Sequence, residues 1–203
     1  MIKVYTYVPK GYFGSNTYLI ASGDEYAVVD PSVNYSRVLE GHPEIKDKVK
    51  YVLLTHAHFD HIIEINSWSE IAEQVIVGRG DEKMLADSYL NCYLGFLGIE
   101  DGYYGPYTVV SDEDKLYLGD AEIRVISTPG HTPGGVCYRV EEHIFVGDTI
   151  FSGGGYGRCD LPGGDIDTLE KSIIKIITKE NDGIVHPGHG DKSKLSEIIT
   201  YFM

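Results

Sequence analysis

The chain has little to staple it, anchor it in a membrane or draw it to a polyanion. Only three of its 203 residues are cysteine, Cys92, Cys137 and Cys159. Their number is odd, their spacings are wide and no CxxC pair occurs, so a disulfide framework is not expected. Each reads as a small apolar side chain rather than a ligand or nucleophile. No stretch approaches the roughly 20 apolar residues of a membrane span, and no membrane association is expected. Residues 1–8 alternate like a first strand and lack the apolar core of a signal peptide, which points to a cytoplasmic protein. Positive charge is scarce, 17 Lys and Arg against 31 Asp and Glu, for a net charge of −14. A field of that sign repels phosphate backbones and argues against nucleic acid as a partner. An anionic small substrate would need local cations, for which Arg79, Arg139 and Arg158 are the candidates. Low-complexity tracts, long linkers and fixed-period repeats are missing too, so 1–203 reads as one domain.

Against these absences stands one dense cluster. His56-Ala57-His58-Phe59-Asp60-His61 puts four potential metal ligands into six positions, directly after the apolar run 51–54. That run reads as a buried strand, with Thr55 opening the turn that follows. Ligands of open α/β sheets bind beyond the carboxyl ends of strands, which is where this cluster falls. Three of the chain's eight histidines lie in this window. Imidazoles at i and i+2 can face one ion from a tight loop, and the adjacent Asp60 and His61 can face a second.

The remaining pattern alternates strands with helices. Strands are expected at 2–8, 17–21, 25–29, 51–54, 74–77, 121–126, 136–140, 143–146 and 184–186. Helices are expected at 35–39, at 62–73, from Asp81 through Tyr93, at 166–178 with Asp165 as N-cap, and from about Lys194. The order β-rich, mixed, β-rich, mixed suggests two sheets faced by helices. The Gly- and Tyr-rich segment 95–107 has too few polar residues for an ordinary solvated loop. It either packs back on the body, or lines a substrate pocket and offers a homodimer contact.

Three further polar residues follow apolar strands and are flanked by Gly or Pro: His131, Asp148 and His189. Seven nitrogen and oxygen ligands from four loops are what a two-metal site requires. His56, His58 and His131 are assigned to the first ion, and Asp60, His61 and His189 to the second, with Asp148 bridging. Two ions about 3.5–4 Å apart can share a water, lower its pKa and present it as hydroxide to an electrophile. Asp30, also at a strand end, is expected to orient a ligand from behind. His186 is left out of the set, because on a strand it would point away or pack. His42 and His143 read as surface residues.

Thr55-His56-Ala57-His58-Phe59-Asp60-His61, Thr128-Pro129-Gly130-His131-Thr132-Pro133-Gly134, Gly147-Asp148-Thr149 and Pro187-Gly188-His189-Gly190 together resemble the motif series of the metallo-β-lactamase superfamily. The resemblance runs from Asp30 to Gly190. It implies an α/β (α+β) fold, a four-layer αββα sandwich with a dinuclear site at one edge of two sheets. Gly147 to Phe151 followed by Gly157 to Asp165 looks like the small glyoxalase II-like (hydroxyacylglutathione hydrolase-like) enzymes, which usually show Thr where this chain has Cys159. Members that place a thiolate in the second metal site differ from this chain, in which no cysteine aligns there. The C-terminal helical extension of full hydroxyacylglutathione hydrolases is not found after His189, which leaves the thioester carrier open.

The reading this supports is a metal-dependent hydrolase of a small thioester or related ester, working through a metal-bridged hydroxide on two divalent ions, Zn first, with Fe or Mn as alternatives. Asp60 is a candidate proton shuttle. Arg158 either contacts a substrate carboxylate or pairs with Asp160 or Asp165. Glu64 replaces one of the small residues often found after the Asp-His pair and reads as a helix-surface residue. One alternative is the persulfide dioxygenase branch, which this chain also resembles, with a single iron on residues matching His56, His131 and Asp148. Another is a non-catalytic metal- or partner-binding module.

Overall fold

A computed structural model describes residues 1–11 and 13–202. One sheet contains β1 (Lys3–Tyr7), β2 (Thr17–Ser22), β3 (Glu25–Val29), β4 (Val49–Leu53), β5 (Ala72–Gly78) and β6 (Thr108–Val110), paired in that order. β1 to β3 are antiparallel, and β3 to β6 run parallel. The other sheet contains β7 (Lys115–Leu118), β8 (Ala121–Ser127), β9 (Val136–Val140), β10 (His143–Gly147), β11 (Ile184–Pro187) and β12 (Ser193–Lys194), paired in the reverse of that order. Only β10 and β11 are parallel there.

Side chains alternate across each strand, and in the central strands both faces are buried. In β2, Leu19 faces a core shared with Val28, Val52, Val38 and Trp68, beneath α1 (Tyr35–Gly41), α2 (Phe59–Ile62) and α3 (Ile65–Ser69). Its neighbours Tyr18 and Ile20 turn the other way, into a core with Leu53, Ile123, Val125 and Tyr138 between the sheets. A third core joins Ile126, Cys137 and Ile144 to Leu169, Ile173 and Ile176 of α5 (Ile166–Lys179) and Leu195 and Ile198 of α6 (Leu195–Ile199). The result is the four-layer αββα sandwich of the α+β class. Burial on both faces is why the central strands read as near-continuous apolar runs. Asp165 caps α5 as expected, its Oδ1 accepting from the Thr168 N–H at 2.7 Å. Among the described residues, no helix is long and apolar enough to cross a membrane.

The structure departs from the sequence pattern in four places. The single helix expected at 62–73 is two short ones. The Glu64 N–H donates to Pro31 O at 2.9 Å, and the Glu64 carboxylate accepts from Asn34, so the chain turns between α2 and α3 to meet the loop after β3. The helix expected from Asp81 is a series of turns, and only α4 (Tyr93–Leu97) is helical. Asp81 is bonded to distant loops, Asp87 Oδ1 takes the Tyr89 and Leu90 N–H groups, and Cys92 sits at φ 70°, where helix cannot continue. The short strands β6, β7 and β12 lie outside the strands expected from the sequence. His42 and His143 are half-buried rather than fully exposed: His42 packs on the Tyr5 ring, and His143 Nδ1 lies 2.9 Å from His186 Nε2.

Tyr138 ties the two sheets together beneath the ligand-bearing loop, its buried hydroxyl donating to Leu54 O at 2.9 Å. Tyr138→Phe leaves that carbonyl without its partner. Urea unfolding is expected to show a loss of about 1–2 kcal/mol with an unchanged denaturant slope.

Candidate metal centre

The carboxyl ends of strands from both sheets meet at one edge. β4 delivers the loop from Thr55 to His61, β8 is followed by His131, β10 by Asp148 and β11 by His189. The nearly buried rings of His56, His58 and His131 converge, with His131 Nε2 2.9 Å from His58 Nδ1 and 3.2 Å from His56 Nε2. The other nitrogen of His131 faces the carbonyl oxygen of Arg158 at 2.8 Å, which can only accept. Nδ1 therefore carries the proton, and the lone pair of Nε2 points into the cluster.

The second group is built the same way. His61 is fully buried, and its Nδ1 donates to Asp30 Oδ2 at 2.8 Å, so its Nε2 is turned inward. Around that nitrogen stand Asp148 Oδ1 at 3.4 Å and Asp60 Oδ2 at 3.8 Å, and Asp60 Oδ2 lies 3.1 Å from His189 Nε2. Asp148 lies between the groups, its Oδ2 3.7 Å from His131 Nε2 and 3.6 Å from His189 Nε2. Three overlapping sets thus have metal-binding geometry: His56, His58 and His131; His56, His61 and Asp148; Asp60, His61 and His189.

Two observations show that these residues fit bound cations. His61 Nε2 and Asp148 Oδ1 are buried without a hydrogen-bond partner, an arrangement a folded protein tolerates where something else satisfies the atom. Asp30, Asp60 and Asp148 are also gathered without a Lys or Arg partner among the described residues. The local fields agree. Burial, with the neighbouring imidazoles, holds His58 down to about 3 and keeps His56 and His131 below the ordinary histidine range, so their lone pairs stay free. Burial also opposes a charge on His61, but Asp30, Asp60 and Asp148 outweigh it and raise that ring well above its ordinary value. The carboxylates call for positive charge there, which a metal ion supplies. Nitrogen and oxygen donors without thiolate suit Zn, Fe or Mn.

Two carboxylates outside the ligand set hold the loops. Asp30 sits at φ 50°, a left-handed conformation that Asp tolerates better than most residues. From there its Oδ1 accepts the Thr55 N–H at 2.8 Å, while Oδ2 accepts the Thr55 hydroxyl at 2.7 Å and His61 Nδ1. Asp81 joins the loops of the two sheets. Its Oδ2 accepts from Ala57 N at 3.0 Å and the Thr132 hydroxyl at 2.8 Å, and its Oδ1 from Gly134 N at 2.6 Å. Burial pushes its carboxyl up to about 6, against three donors that favour the ionised form. Close packing sets another requirement at Gly188, where a Cβ would collide with Asp148 Oδ1 and the His61 ring.

Not every candidate enters the cluster. The Arg158 guanidinium pairs with both oxygens of exposed Asp160, at 2.7 and 2.6 Å, and it is the backbone oxygen of Arg158 that meets His131. Glu64 lies at the α2–α3 junction, and His186 packs against Phe145 and Tyr18. Sequence reasoning missed Asp81, although it follows a strand and a glycine as the candidate ligands do, because it was read as a helix start. It also missed Phe13 and Cys92, which with Phe59, Phe96 and Leu161 wall a cleft of about 200 Å³ above His58, Asp60, His131, Asp148 and His189.

The metallo-beta-lactamase superfamily profile matches residues 11–189. The chain belongs to this superfamily. Superfamily relatives similar to it include the Bacillus subtilis protein named Probable metallo-hydrolase YqgX, 33% identical over 92% of this chain and 90% of that one. Among solved superfamily structures, BLEG-1, described as a B3 metallo-beta-lactamase, superposes with a TM-score of 0.87 at 29% identity, covering 98% of this chain and 97% of its own. TTHA1623, solved in a di-iron-bound form, superposes with a TM-score of 0.80 at 27% identity, covering 94% of each chain.

The Asp81 bridge yields a test that involves no ligand residue. Asp81→Asn must turn an amide N–H₂ toward at least one of the three donors. A loss of about 1–3 kcal/mol in thermal or urea unfolding is expected, together with weaker metal retention on dialysis against a chelator.

Proposed function

We propose that the protein hydrolyses small thioesters or related esters at a two-metal site. His56, His58 and His131 would hold one cation and Asp60, His61 and His189 the other, with Asp148 shared. The observation that carries this reading is the position of the Asp148 carboxylate, one oxygen turned to His61 and the other to His131 and His189. A shared carboxylate lying between two histidine-rich donor sets is what a two-cation site needs. The name of the YqgX relative and the glyoxalase II-like run from Gly157 to Asp165 support hydrolysis.

Bound there, divalent cations would supply a water of lowered pKa and polarise the carbonyl oxygen of the substrate. The chain's own residues do the rest. The cleft walls seat the acyl group over Asp60, Asp148 and His189. The oxygen of water bonds to the carbonyl carbon, and the C–S bond breaks with its electron pair on sulfur. Asp60, whose side chain is 19% exposed beside His189, carries the proton lost by the water to the departing thiolate. The products are a carboxylic acid and a thiol. Asp30 keeps His61 in the tautomer whose Nε2 lone pair faces inward. The backbone oxygen of Arg158 does the same for His131.

The test is thiol release from S-lactoylglutathione and from an acyl-coenzyme A, using protein loaded separately with Zn, Fe(II) or Mn. Turnover that a chelator abolishes is expected. No thiol release with any metal rejects the reading, and oxygen uptake with glutathione persulfide would then identify the dioxygenase chemistry. Asp148→Asn is expected to reduce metal content from two ions per chain to one or none by elemental analysis. Turnover should fall at least about 100-fold, since loss of a mere supporting partner already costs 10- to 100-fold. His58→Ala should remove both metal and activity.

A further inference from the structure

The walls of the cleft differ in chemistry from the ligand set beneath them. Among the described residues, its charged and imidazole side chains are candidate ligands or Arg158, and the remaining walls are Phe13, Gly14, Phe59, Phe96, Cys92 and Leu161. The aromatic rings form one continuous surface. Phe59, next to His58 in the chain and only 5% exposed, stacks on Phe96 at 5.4 Å and 28° and meets Phe13 at 6.2 Å. The outer two rings are 52% and 42% exposed. Large apolar groups left open beside a reactive cluster mark a surface that a ligand covers.

The one cation at the rim is already engaged. The Arg158 guanidinium lies over the Phe96 ring at 6.0 Å, and both oxygens of Asp160 hold it. Among the described residues, a hydroxyl held against these walls, away from the candidate ligands, would therefore leave water and meet no free polar side chain. An alkyl chain in the same place would lose only unfavourable contact with water. The cleft, at about 200 Å³, is smaller than the roughly 300–1,000 Å³ of pockets that enclose drug-sized ligands. It has room for one arm of the substrate, and the carrier remains in solvent.

We propose that the Phe13–Phe59–Phe96 wall makes this enzyme selective for thioesters of apolar acyl groups over 2-hydroxyacyl thioesters, an inference that rests on the thioester-hydrolase reading. Phe96 is its specificity-determining residue, because its ring is both stacked on Phe59 and open to the cleft. The size of the effect follows from what an apolar pocket can do against a substrate that adds a hydroxyl, roughly 10- to 100-fold.

The experiment compares hexanoyl and 2-hydroxyhexanoyl thioesters of N-acetylcysteamine, a carrier without carboxylates, as substrates of the metal-loaded protein. A second readout is calorimetric binding of the two corresponding thioethers, which cannot be hydrolysed. A kcat/KM at least tenfold higher for the hexanoyl ester, with tighter binding of the hexyl thioether, is the expected result. Phe96→Ala should narrow both preferences to within about threefold. Equal or faster turnover of the hydroxyacyl ester overturns the inference and leaves thioester hydrolysis standing. So does a Phe96→Ala variant that keeps the wild-type ratio. Absence of turnover with both esters and every metal overturns the hydrolase reading, and the acyl selectivity with it.

Discussion

The buried carboxylates of Asp30 and Asp81 are the constraint on which the metal-binding edge depends. Each accepts three hydrogen bonds from loops that would otherwise carry unpaired donors into a dry environment. Asp30 grips both ends of the ligand loop, at Thr55 and at His61. Asp81 grips its middle at Ala57 and ties it to the loop of His131 in the opposite sheet. Charged acceptors make stronger hydrogen bonds than neutral ones, and a buried network is stable only when all of its members are satisfied. A loop held at several points presents its imidazoles in one orientation, which a metal site requires before any ion arrives.

That orientation is shared between two sheets, so the inter-sheet core is part of the site. His56, His58, Asp60 and His61 come from one sheet and His131, Asp148 and His189 from the other. Polar contacts at the edge set how the sheets meet: Asn16 bonds the backbone of Pro187 and Gly188, and Val136 N donates to Thr55 O. Gly147, at φ 51°, allows the Asp148 loop to pass close against Thr55. Interiors this closely packed transmit small shifts, so a volume change between the sheets reaches the ligands.

The electrostatics of the edge run against those of an ordinary core. Three carboxylates and five imidazoles are gathered at this edge, Asp30, His56, His58, His61 and His131 of them buried, on a chain with a net charge of −14. Two divalent cations would reduce that charge to about −10 and would put positive charge among the carboxylates, where it has most effect. Beyond this cluster the chemistry turns apolar within a few ångströms, at the phenylalanine wall. A ligand covering those rings would displace water from the edge of the cluster and strengthen the charge interactions beneath it.

Much of this was legible in the chain itself. The central strands are buried on both faces, so they read as apolar runs, and local turn chemistry marks their ends with Gly, Pro or Asp. His56, His58, Asp60, His61, His131, Asp148 and His189 could be picked out because each follows such an end, and Asp165 because a helix cap is a matter of three neighbouring residues. The same pattern suggested two sheets faced by helices, and the resemblance to the superfamily implied their αββα layering, whereas the strand order within each sheet was not read. Asp81, the broken helix at Glu64, the turns from 81 to 92 and the phenylalanine wall were not legible. Asp81 chooses partners 24 to 53 residues away over capping a local helix, and Phe13, Phe59 and Phe96 meet only because the loop before β2 and the short helices α2 and α4 fold onto one another. Local periodicity determined the elements and marked the candidate ligands, whereas long-range hydrogen bonds and packing, which no short window of sequence contains, decided how they are held and what surrounds them.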